Sequence, residues 1–349
     1  MIIVIMNKIE LCSLELSELE KLFISFEEKA YRAAQIFCEI YKNKKNNLLD
    51  ISNLSEALKT QLINKTIFPS ITLVKKQESK DAQTKKFLWE LSDGSLIESV
   101  LIYANSGRIS ACVSSQVGCM CGCLFCASGK KGFRRNLKVC EIIEQILHMD
   151  VLLKHEGTNI SNIIFMGMGE PLNNYDNVLK SIYILNDKKG YDLSFKRITI
   201  STVGIVEKIK KLIEEKANVN LAISLHAPDQ DTRKMIIPMA KKYSLETLLE
   251  VVRKYSKVKN KRIFYEYTLI KNINDSEKDA YKLVDLLKDD DCIVNLIPYN
   301  PIKSSDFQKP ETKMIENFYN ILVSKKIKAT RRYTKGVDIS AACGQLALD

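Results

Sequence analysis

Apolar residues recur at three- and four-residue spacing near the start of the chain, over residues 16–26 and 31–41. This periodicity predicts two amphipathic helices. A third, shorter helix is predicted after Ser52, whose hydroxyl can cap it. A polar, lysine- and asparagine-rich stretch separates the second and third. Residues 1–66 are therefore predicted to form a small helical accessory domain.

Extended apolar runs follow, at residues 71–76, 86–91, 96–103 and 108–113. The Asp93-Gly94 pair between the second and third runs favours a hairpin turn. Residues 67–108 are therefore predicted to be a β-meander that connects the helical domain to the rest of the chain.

Strands and helices alternate from residue 109 to the end. Predicted strands lie at residues 163–166, 198–200, 219–223, 263–268 and 293–297. Predicted helices lie near residues 138–154, 175–187, 205–216, 244–257, 276–288 and 311–324. This alternation is typical of a parallel sheet covered by helices. The fold class is therefore α/β, with residues 109–349 forming a partial, TIM-like (β/α)6 barrel.

Polar clusters follow the predicted strands directly. The clusters are Cys119–Cys126, Gly167-Met168-Gly169-Glu170-Pro171, Ser201-Thr202-Val203-Gly204, Ser224-Leu225-His226 and Pro298-Tyr299-Asn300-Pro301. Loops after the carboxyl ends of barrel strands form the active face of such folds. Any one cluster alone is explained by ordinary turn chemistry. Five clusters at equivalent positions indicate a functional site.

Charge and terminal sequence narrow the function classes. The chain has 349 residues, with 53 Lys+Arg against 42 Asp+Glu and a formal net charge of +11. This balance suits a nucleic-acid partner, and a lysine-rich solvated surface explains it equally well. The start of the chain lacks signal-peptide features, and no apolar run is long enough to span a membrane. We therefore expect a cytoplasmic protein without a membrane partner, whose ten cysteines are metal ligands, reactive thiols or core residues.

Three cysteines give the sharpest chemical signal: Cys119, Cys123 and Cys126. Thiolates are the usual ligands of iron–sulfur clusters, and three of them leave one iron of a 4Fe-4S cluster open. Cys121 offers a fourth sulfur, so a closed four-cysteine zinc site is the alternative.

The cysteine motif and several others resemble the RlmN/Cfr family of radical SAM RNA adenine-C2 methyltransferases, and the RlmN branch in particular. The segments that carry the resemblance are CVSSQVGCMCGCLFCASGKKGFRRNL, FMGMGEPLNNYDNV, ITISTVGI, AISLHAPD, LIPYNP and DISAACGQL. The N-terminal helical segment, residues 1–66, also resembles the accessory domain of that family, which implies that it binds RNA.

The resemblance implies a 4Fe-4S cluster on Cys119, Cys123 and Cys126 whose open iron binds S-adenosyl-L-methionine (SAM). It implies further SAM contacts at Gly169, Glu170, Ser201, Ser224, Leu225, His226 and Asn300. For His226, the alternative is a core histidine whose hydrogen bonds are satisfied within the protein.

The resemblance also implies three catalytic residues. Cys343 is the nucleophile that becomes S-methylcysteine, Cys112 is the resolving thiol, and Glu98 is the proton acceptor. Two SAM molecules take part, one as methyl donor and one as radical source, and a disulfide between Cys112 and Cys343 remains after product release. Without the resemblance, both cysteines would be read as inert core residues and Glu98 as solvated.

The implied partners are 23S rRNA, tRNA methylated at adenine 37, and an electron donor such as flavodoxin or ferredoxin, with the protein acting as a monomer. Lys130, Lys131, Arg134 and Arg135, together with Arg331, Arg332 and Lys335, are predicted to rim the active mouth and meet phosphates. Three alternatives stay open: Cfr-like methylation of carbon 8, which confers antibiotic resistance; a radical SAM enzyme acting on a small molecule or a protein; and a zinc-bound RNA-binding protein without catalysis.

Overall fold

The N-terminal part of the computed structural model, which describes residues 8–303, 305–332 and 335–346, is helical as predicted. It contains β1 (Ile9–Glu10), α1 (Leu16–Ile24), α2 (Tyr31–Tyr41), α3 (Glu56–Lys65) and β2 (Thr66–Ile67). The predicted cap of α3 was wrong. Ser55, not Ser52, caps this helix, because its hydroxyl accepts a hydrogen bond from Leu58 N at 3.3 Å.

The predicted meander consists of β3 (Ile71–Glu78), β4 (Thr84–Leu91) and β5 (Leu96–Tyr103), which pair antiparallel. β5 also pairs antiparallel with β6 (Ile109–Cys112), the first strand of the following segment. The meander therefore extends the main sheet in addition to connecting the two parts of the chain. The boundaries 1–66, 67–108 and 109–349 remain predictions.

A small hairpin that the sequence patterns did not predict surrounds the cysteine motif. Its strands are β7 (Gln116–Gly118) and β8 (Phe133–Asn136), with the short α4 (Ala127–Lys130) between them. Because β7 begins only a few residues after β6, the hairpin holds the cysteine loop at the carboxyl end of the first parallel strand.

The alternation predicted for the rest of the chain is confirmed. Its elements are α5 (Val139–His155), β9 (Asn162–Phe165), α6 (Tyr175–Asn186), β10 (Ile198–Thr202), α7 (Val206–Glu214), β11 (Asn220–Ser224), α8 (Gln230–Ile236), α9 (Leu245–Lys259), β12 (Ile263–Leu269), α10 (Glu277–Leu287), β13 (Cys292–Pro298), α11 (Thr312–Ser324) and β14 (Ala329–Arg331).

One ten-stranded sheet organises these elements, in the order β14-β13-β12-β11-β10-β9-β6-β5-β4-β3. From β6 to β14 neighbouring strands are parallel and follow chain order, which is the arrangement of successive βαβ units. The α/β class with a mainly parallel sheet is thus confirmed. β14 was not predicted, because three residues with the sequence Ala-Thr-Arg carry no apolar alternation. Within the described residues, no helix has the length and apolarity needed to cross a bilayer.

The N-terminal helices pack around a second hydrophobic core, which also contains residues of α5. This core includes Phe37 of α2 and Ile143 of α5, both at most 1% exposed. The opposite face of α5 packs on the sheet with Ile142 and Ile146. α5 is therefore buried on two sides and joins the helical part to the sheet.

Gly190 contacts this shared core, and substitution of Gly190 tests how tightly the core is packed. A Cβ at this position would lie 2.4 Å from Cε1 of Phe37, so Gly190→Ala forces the ring to move. We expect a loss of about 1–3 kcal/mol in the free energy of unfolding, as for other overpacked cores. Urea denaturation measures it. The double variant Gly190→Ala/Phe37→Leu should recover part of the loss, and no recovery would show that Phe37 is not the obstacle.

Candidate active site

One cavity lies at the carboxyl ends of the parallel strands. It is lined by Phe165 from β9, Ser201 from β10, Ser224 from β11, Glu266 from β12 and Ile297 from β13, and by the cysteine loop that follows β6. Because residues from six consecutive parallel strands and their loops meet at one cavity, the sheet curves around it.

The cysteine loop is fixed by backbone contacts. Cys119 N donates to Gly132 O at 2.9 Å, which closes the β7–β8 hairpin. Gly118 has φ +74°, and a Cβ there would lie 1.8 Å from Gly132 O, so no other residue fits. On its other side the loop is held by Leu124 N, which donates to Ile236 O of α8 at 3.0 Å.

All four thiols of the loop line the cavity: Cys119, Cys121, Cys123 and Cys126. Cys121 is 3% exposed, and its contact with Cys119 holds the pKa of Cys119 below the ordinary value. Burial instead raises the pKa of both Cys123 and Cys126. Among the residues that the structure describes, no three His, Cys, Asp or Glu side chains converge closely enough to hold a single metal ion.

Glu170 is buried and ties two loops together. Its carboxylate accepts from Leu172 N at 3.0 Å and from Val203 N at 2.8 Å. Burial raises its pKa to about 7, against the lowering effect of these hydrogen bonds. Glu170 thus joins the loop after β9 to the loop after β10. Gly169 before it has φ +104°, and a Cβ there would lie 2.6 Å from Cβ of Gln116.

His226 lines the cavity with φ +55°, a backbone conformation uncommon outside glycine. Its Nδ1 accepts from Thr268 N at 2.9 Å, so the proton of the neutral ring is on Nε2. Burial lowers the pKa of His226 to about 3, which keeps the ring neutral. One nitrogen is therefore satisfied as in a core histidine, while the ring also faces the site.

Three more residues of the predicted SAM set divide into two groups. Ser201 and Ser224 line the cavity. Leu225 is 0% exposed and does not line it; its backbone O accepts from Arg233 Nε at 3.2 Å. Leu225 therefore packs in the core.

The C-terminal loop closes the cavity. Cys343 lines it, Cys343 O accepts from Asn300 Nδ2 at 3.0 Å, and Gly344 O accepts from Ala127 N at 2.8 Å. Asn300, a predicted SAM contact that also lines the cavity, thus holds the Cys343 loop as well.

A second, smaller cavity joins Cys112, Cys343 and Arg332. The charge of the Arg332 guanidinium acts on the Cys343 thiol across this cavity. Cys343 is exposed as a residue, but protein surrounds its sulfur, and this desolvation raises its pKa while Arg332 opposes the rise. Burial raises the pKa of Cys112 to about 12. Both are free thiols, so the structure does not contain the implied disulfide.

A row of polar side chains across three strands holds Arg332. Glu266, Asn295 and Thr330 are register partners on β12, β13 and β14. Asn295 Nδ2 donates to Glu266 Oε1 at 2.8 Å, and Thr330 Oγ1 donates to Asn295 Oδ1 at 2.6 Å. Glu266 Oε1 lies 3.5 Å from Arg332 Nη2. Glu266 Oε2 is buried with no hydrogen-bond partner within the described part of the chain.

Glu98 lies on β5 and lines neither cavity. It is 1% exposed and forms an ion pair with Lys86 at 2.9 Å, so it is not solvated. Lys86 Nζ also lies 3.5 Å from Ser340 O, which connects Glu98 to the C-terminal loop.

Known protein families and relatives match this chain over most of its length. The model of the radical SAM superfamily matches residues 113–284, and that of the ribosomal RNA large subunit methyltransferase N-terminal domain matches residues 9–67. A probable dual-specificity RNA methyltransferase RlmN 2 of Protochlamydia amoebophila (strain UWE25) is 49% identical over 92% of this chain and 89% of its own length. The chain belongs to the RlmN family of radical SAM RNA methyltransferases.

Two further relatives of this RlmN family member cover nearly the whole chain. A probable dual-specificity RNA methyltransferase RlmN of Thermotoga neapolitana is 46% identical over 97% of both chains. The crystal structure of a radical SAM methyltransferase from Sphaerobacter thermophilus superposes with a TM-score of 0.96, at 38% identity, over 98% of this chain and 100% of that one. The predicted family and radical SAM fold are therefore confirmed.

The basic residues of this RlmN family member differ in part from the predicted phosphate rim. Lys130, Lys131 and Arg134 are exposed beside the cysteine loop. Arg135 instead forms ion pairs with Asp93 at 2.9 Å and Glu141 at 2.7 Å, so its charge stabilises the hairpin.

The second group of basic residues also differs in part from the predicted rim. It consists of Arg331, Arg332 and Lys335. Arg331 lies 3.7 Å from Glu316, and Lys335 Nζ donates to Tyr103 O at 2.5 Å. Arg332 contacts the Cys343 thiol inside the site instead of rimming it.

Sequence reasoning missed Glu266 and the position of Arg332. A signal for Glu266 was present, because a carboxylate within the apolar strand Ile263–Leu269 has to be buried and therefore paired. No comparable signal marks Arg332, since its neighbour Arg331 has the same side chain and ends on the surface.

Arg332 should activate Cys343. In Arg332→Met, loss of the cation that lowers the thiol pKa should raise this pKa further, so that less thiolate is present near pH 8. We expect alkylation of Cys343 by iodoacetamide to slow about tenfold there, equivalent to about one pKa unit, with the profile moved to higher pH. Peptide mass spectrometry at several pH values measures it. Arg331→Met is the matched control and should leave the profile unchanged; equal profiles for the two variants would contradict the assignment.

Proposed function

We propose that this RlmN family member methylates carbon 2 of one adenine in the peptidyl-transferase region of 23S rRNA and of adenine 37 in tRNA. One observation carries the proposal: Cys343 and the loop of Cys119, Cys123 and Cys126 line the same cavity. The relatives named as dual-specificity RNA methyltransferases support both RNA classes.

The cysteine loop fits an iron–sulfur cluster. Three thiols face one cavity from a loop that the Gly118–Gly132 contact makes rigid. Each thiolate of a 4Fe-4S cluster binds a different iron, so the sulfurs need not converge on one point, as a single zinc ion would require. Cys119, Cys123 and Cys126 would hold the cluster, with Cys121 packed beside Cys119. When bound, the cluster and SAM supply a methyl group and a carbon-centred radical.

The cavity wall suits SAM. Ser201 and Ser224 offer hydroxyls, His226 offers an N–H, and Asn300 offers an amide oxygen beyond the bond that its Nδ2 makes. Glu170 contributes by holding the loops after β9 and β10 in place, since its oxygens accept from two backbone N–H groups. Gly169 leaves room for the Gln116 side chain behind the same wall.

Cys343 carries the methyl group and Cys112 releases the product. The Cys343 sulfur must lose its proton to act as a nucleophile, and Arg332 favours that charge. After transfer, Cys112 attacks the Cys343 sulfur, so that an S–S bond forms as the bond from Cys343 to the product carbon breaks. Cys112 must also deprotonate, and the Arg332 guanidinium beside it stabilises the thiolate.

The proton on carbon 2 must leave the target adenine. The proposed acceptor is Glu98 on β5. This strand pairs with the strand of Cys112, and Val100 of β5 is the register partner of Cys112. Glu98 forms an ion pair with Lys86, so a positive charge lies beside the Glu98 carboxylate.

RNA and an electron donor are the proposed partners of this protein. Lys130, Lys131 and Arg134, which are exposed beside the cysteine loop, are proposed to meet RNA phosphates. The target base must leave its stack to reach the cavity. The proposed cluster accepts electrons one at a time and therefore needs an electron donor, for which a flavodoxin or ferredoxin is proposed. The protein is proposed to act as a monomer.

Two cysteine variants test the transfer. With 23S rRNA fragments, SAM and a reductant, Cys343→Ala should form no methyladenosine, because the methyl carrier is missing. Cys112→Ala should accumulate a covalent protein–RNA adduct, because the product cannot be released. Mass spectrometry of digested RNA measures both, and Cys38→Ala, on α2, is the control. Methylation by Cys343→Ala would sink the mechanism, and 8-methyladenosine from the native chain would show Cfr-like regiochemistry.

Metal content tests the cluster. Cys123→Ala should lose most iron and sulfide after anaerobic reconstitution, because one of three ligands is gone. Cys121→Ala, with its thiol in the same loop, should keep them and is the matched control. Iron, sulfide and zinc analysis measures this. Zinc without iron in the native protein, or equal metal loss in both variants, would favour the four-cysteine zinc site.

A further inference from the structure

Arg233 is an arginine buried behind the cavity wall. It lies on α8 and is 1% exposed. Its Nη2 donates to Val203 O at 2.5 Å and to Ser224 O at 3.2 Å, and its Nε donates to Leu225 O at 3.2 Å. Val203 follows β10, Ser224 ends β11, and Leu225 follows β11. The guanidinium is thus fixed behind two loops that line the cavity.

No carboxylate lies within ion-pair distance of Arg233 among the described residues; its hydrogen-bond acceptors are neutral carbonyls. A buried charge without an opposite charge is costly in free energy. The other arginine of the site, Arg332, is paired with Glu266. Burial lowers the pKa of Arg233 only to about 10, so the guanidinium stays protonated at neutral pH. The uncompensated positive charge therefore needs a partner that the polypeptide does not supply.

Packing of α8 ties Arg233 to the cysteine loop, and to Cys123 in particular. The two residues belong to one packed unit. Ile236, one turn after Arg233, shares a small buried core with Cys121 and Cys123, and Ile236 O accepts from Leu124 N at 3.0 Å. α8 and the cysteine loop are thus locked together, which fixes the charge relative to the thiols.

We infer that Arg233 is the counter-charge of the iron–sulfur cluster, a positioning residue that stabilises its reduced state. The inference rests on the proposed function, because it needs the cluster on Cys119, Cys123 and Cys126. Three thiolates bring three negative charges, and reduction adds one more. In an interior of low dielectric constant a fixed cation nearby favours the more negative state. The cluster potential is therefore higher than it would be without Arg233.

A competing explanation is that Arg233 only clamps the two loops through its hydrogen bonds. The charge and the clamp are separable by substitution. Arg233→Lys keeps the charge and loses the fork, whereas Arg233→Gln loses the charge and keeps a hydrogen-bond donor. Arg262→Gln is the control, since Arg262 pairs with Asp291 on the surface, just before the amino end of β12 and away from the cavity.

The test is a redox titration of reconstituted protein without SAM or RNA, followed by electron paramagnetic resonance. At a fixed ambient potential the ratio of reduced to oxidised cluster should fall at least tenfold in Arg233→Gln, which is about 59 mV for a one-electron couple. Arg233→Lys should shift less, and Arg262→Gln should match the native protein. A native potential in Arg233→Gln would overturn the inference.

Thermal stability gives a second readout. If Arg233 balances the cluster, loading should raise Tm less in Arg233→Gln than in the native protein and in Arg233→Lys. A clamp alone would lower Tm equally with and without cluster, and that result would overturn the inference. If Arg233→Gln loses its cluster while Arg233→Lys retains it, charge is again supported; equal loss in both would refute it. A native protein that takes up no cluster would instead sink the proposed function.

Discussion

The hydrogen bond from Ala127 N to Gly344 O, 2.8 Å long, is the contact on which the site depends. It joins the cysteine loop after β6 to a loop near the end of the chain. Two neighbouring bonds support it, from Ser128 Oγ to Leu346 O at 2.7 Å and from Asn300 Nδ2 to Cys343 O at 3.0 Å. Because these anchors are mostly backbone groups, the position of Cys343 depends on loop geometry more than on its own side chain. Cys343 and the cysteine loop can share a cavity only while this closure persists.

Electrostatics then separate the sulfurs that the closure brings together. Burial alone raises the pKa of a thiol and makes it inert. Each of the two sulfur groups has an arginine beside it: Arg332 at Cys343 and Arg233 near Cys123. Arg332 is paired with Glu266, and its charge still opposes the rise in the Cys343 pKa. Arg233 has only neutral acceptors and projects its whole charge. In the proposed function, the same type of side chain thus serves a nucleophile in one place and a redox centre in the other.

The sequence allowed much of this to be predicted, and the failures have physical causes. Strand–helix alternation predicted the sheet, because it follows from local periodicity, and the polar clusters after the strands contain fourteen of the cavity-lining residues. β14 was missed because its pairing with β13 is decided by tertiary contact, not by its three residues. Arg135 and Arg332 were both assigned to a phosphate rim, since sequence shows a charge but not its partner. Their carboxylates, Glu141 and Glu266, lie on other elements and are brought near only by folding.

The antiparallel strands at the sheet edge illustrate the same point at larger scale. Local pattern describes β3 to β5 as a connector, yet the C-terminal loop rests on them. Lys80 N donates to Asp338 Oδ2 at 2.9 Å, and Lys86 links Glu98 to Ser340 O. Cys343 is therefore positioned from one side by the cysteine loop and from the other by these strands. The sheet continues past its parallel half into an antiparallel edge, and this edge gives the C-terminal loop a second support. The support explains why the edge has a buried ion pair, which a simple connector would not need.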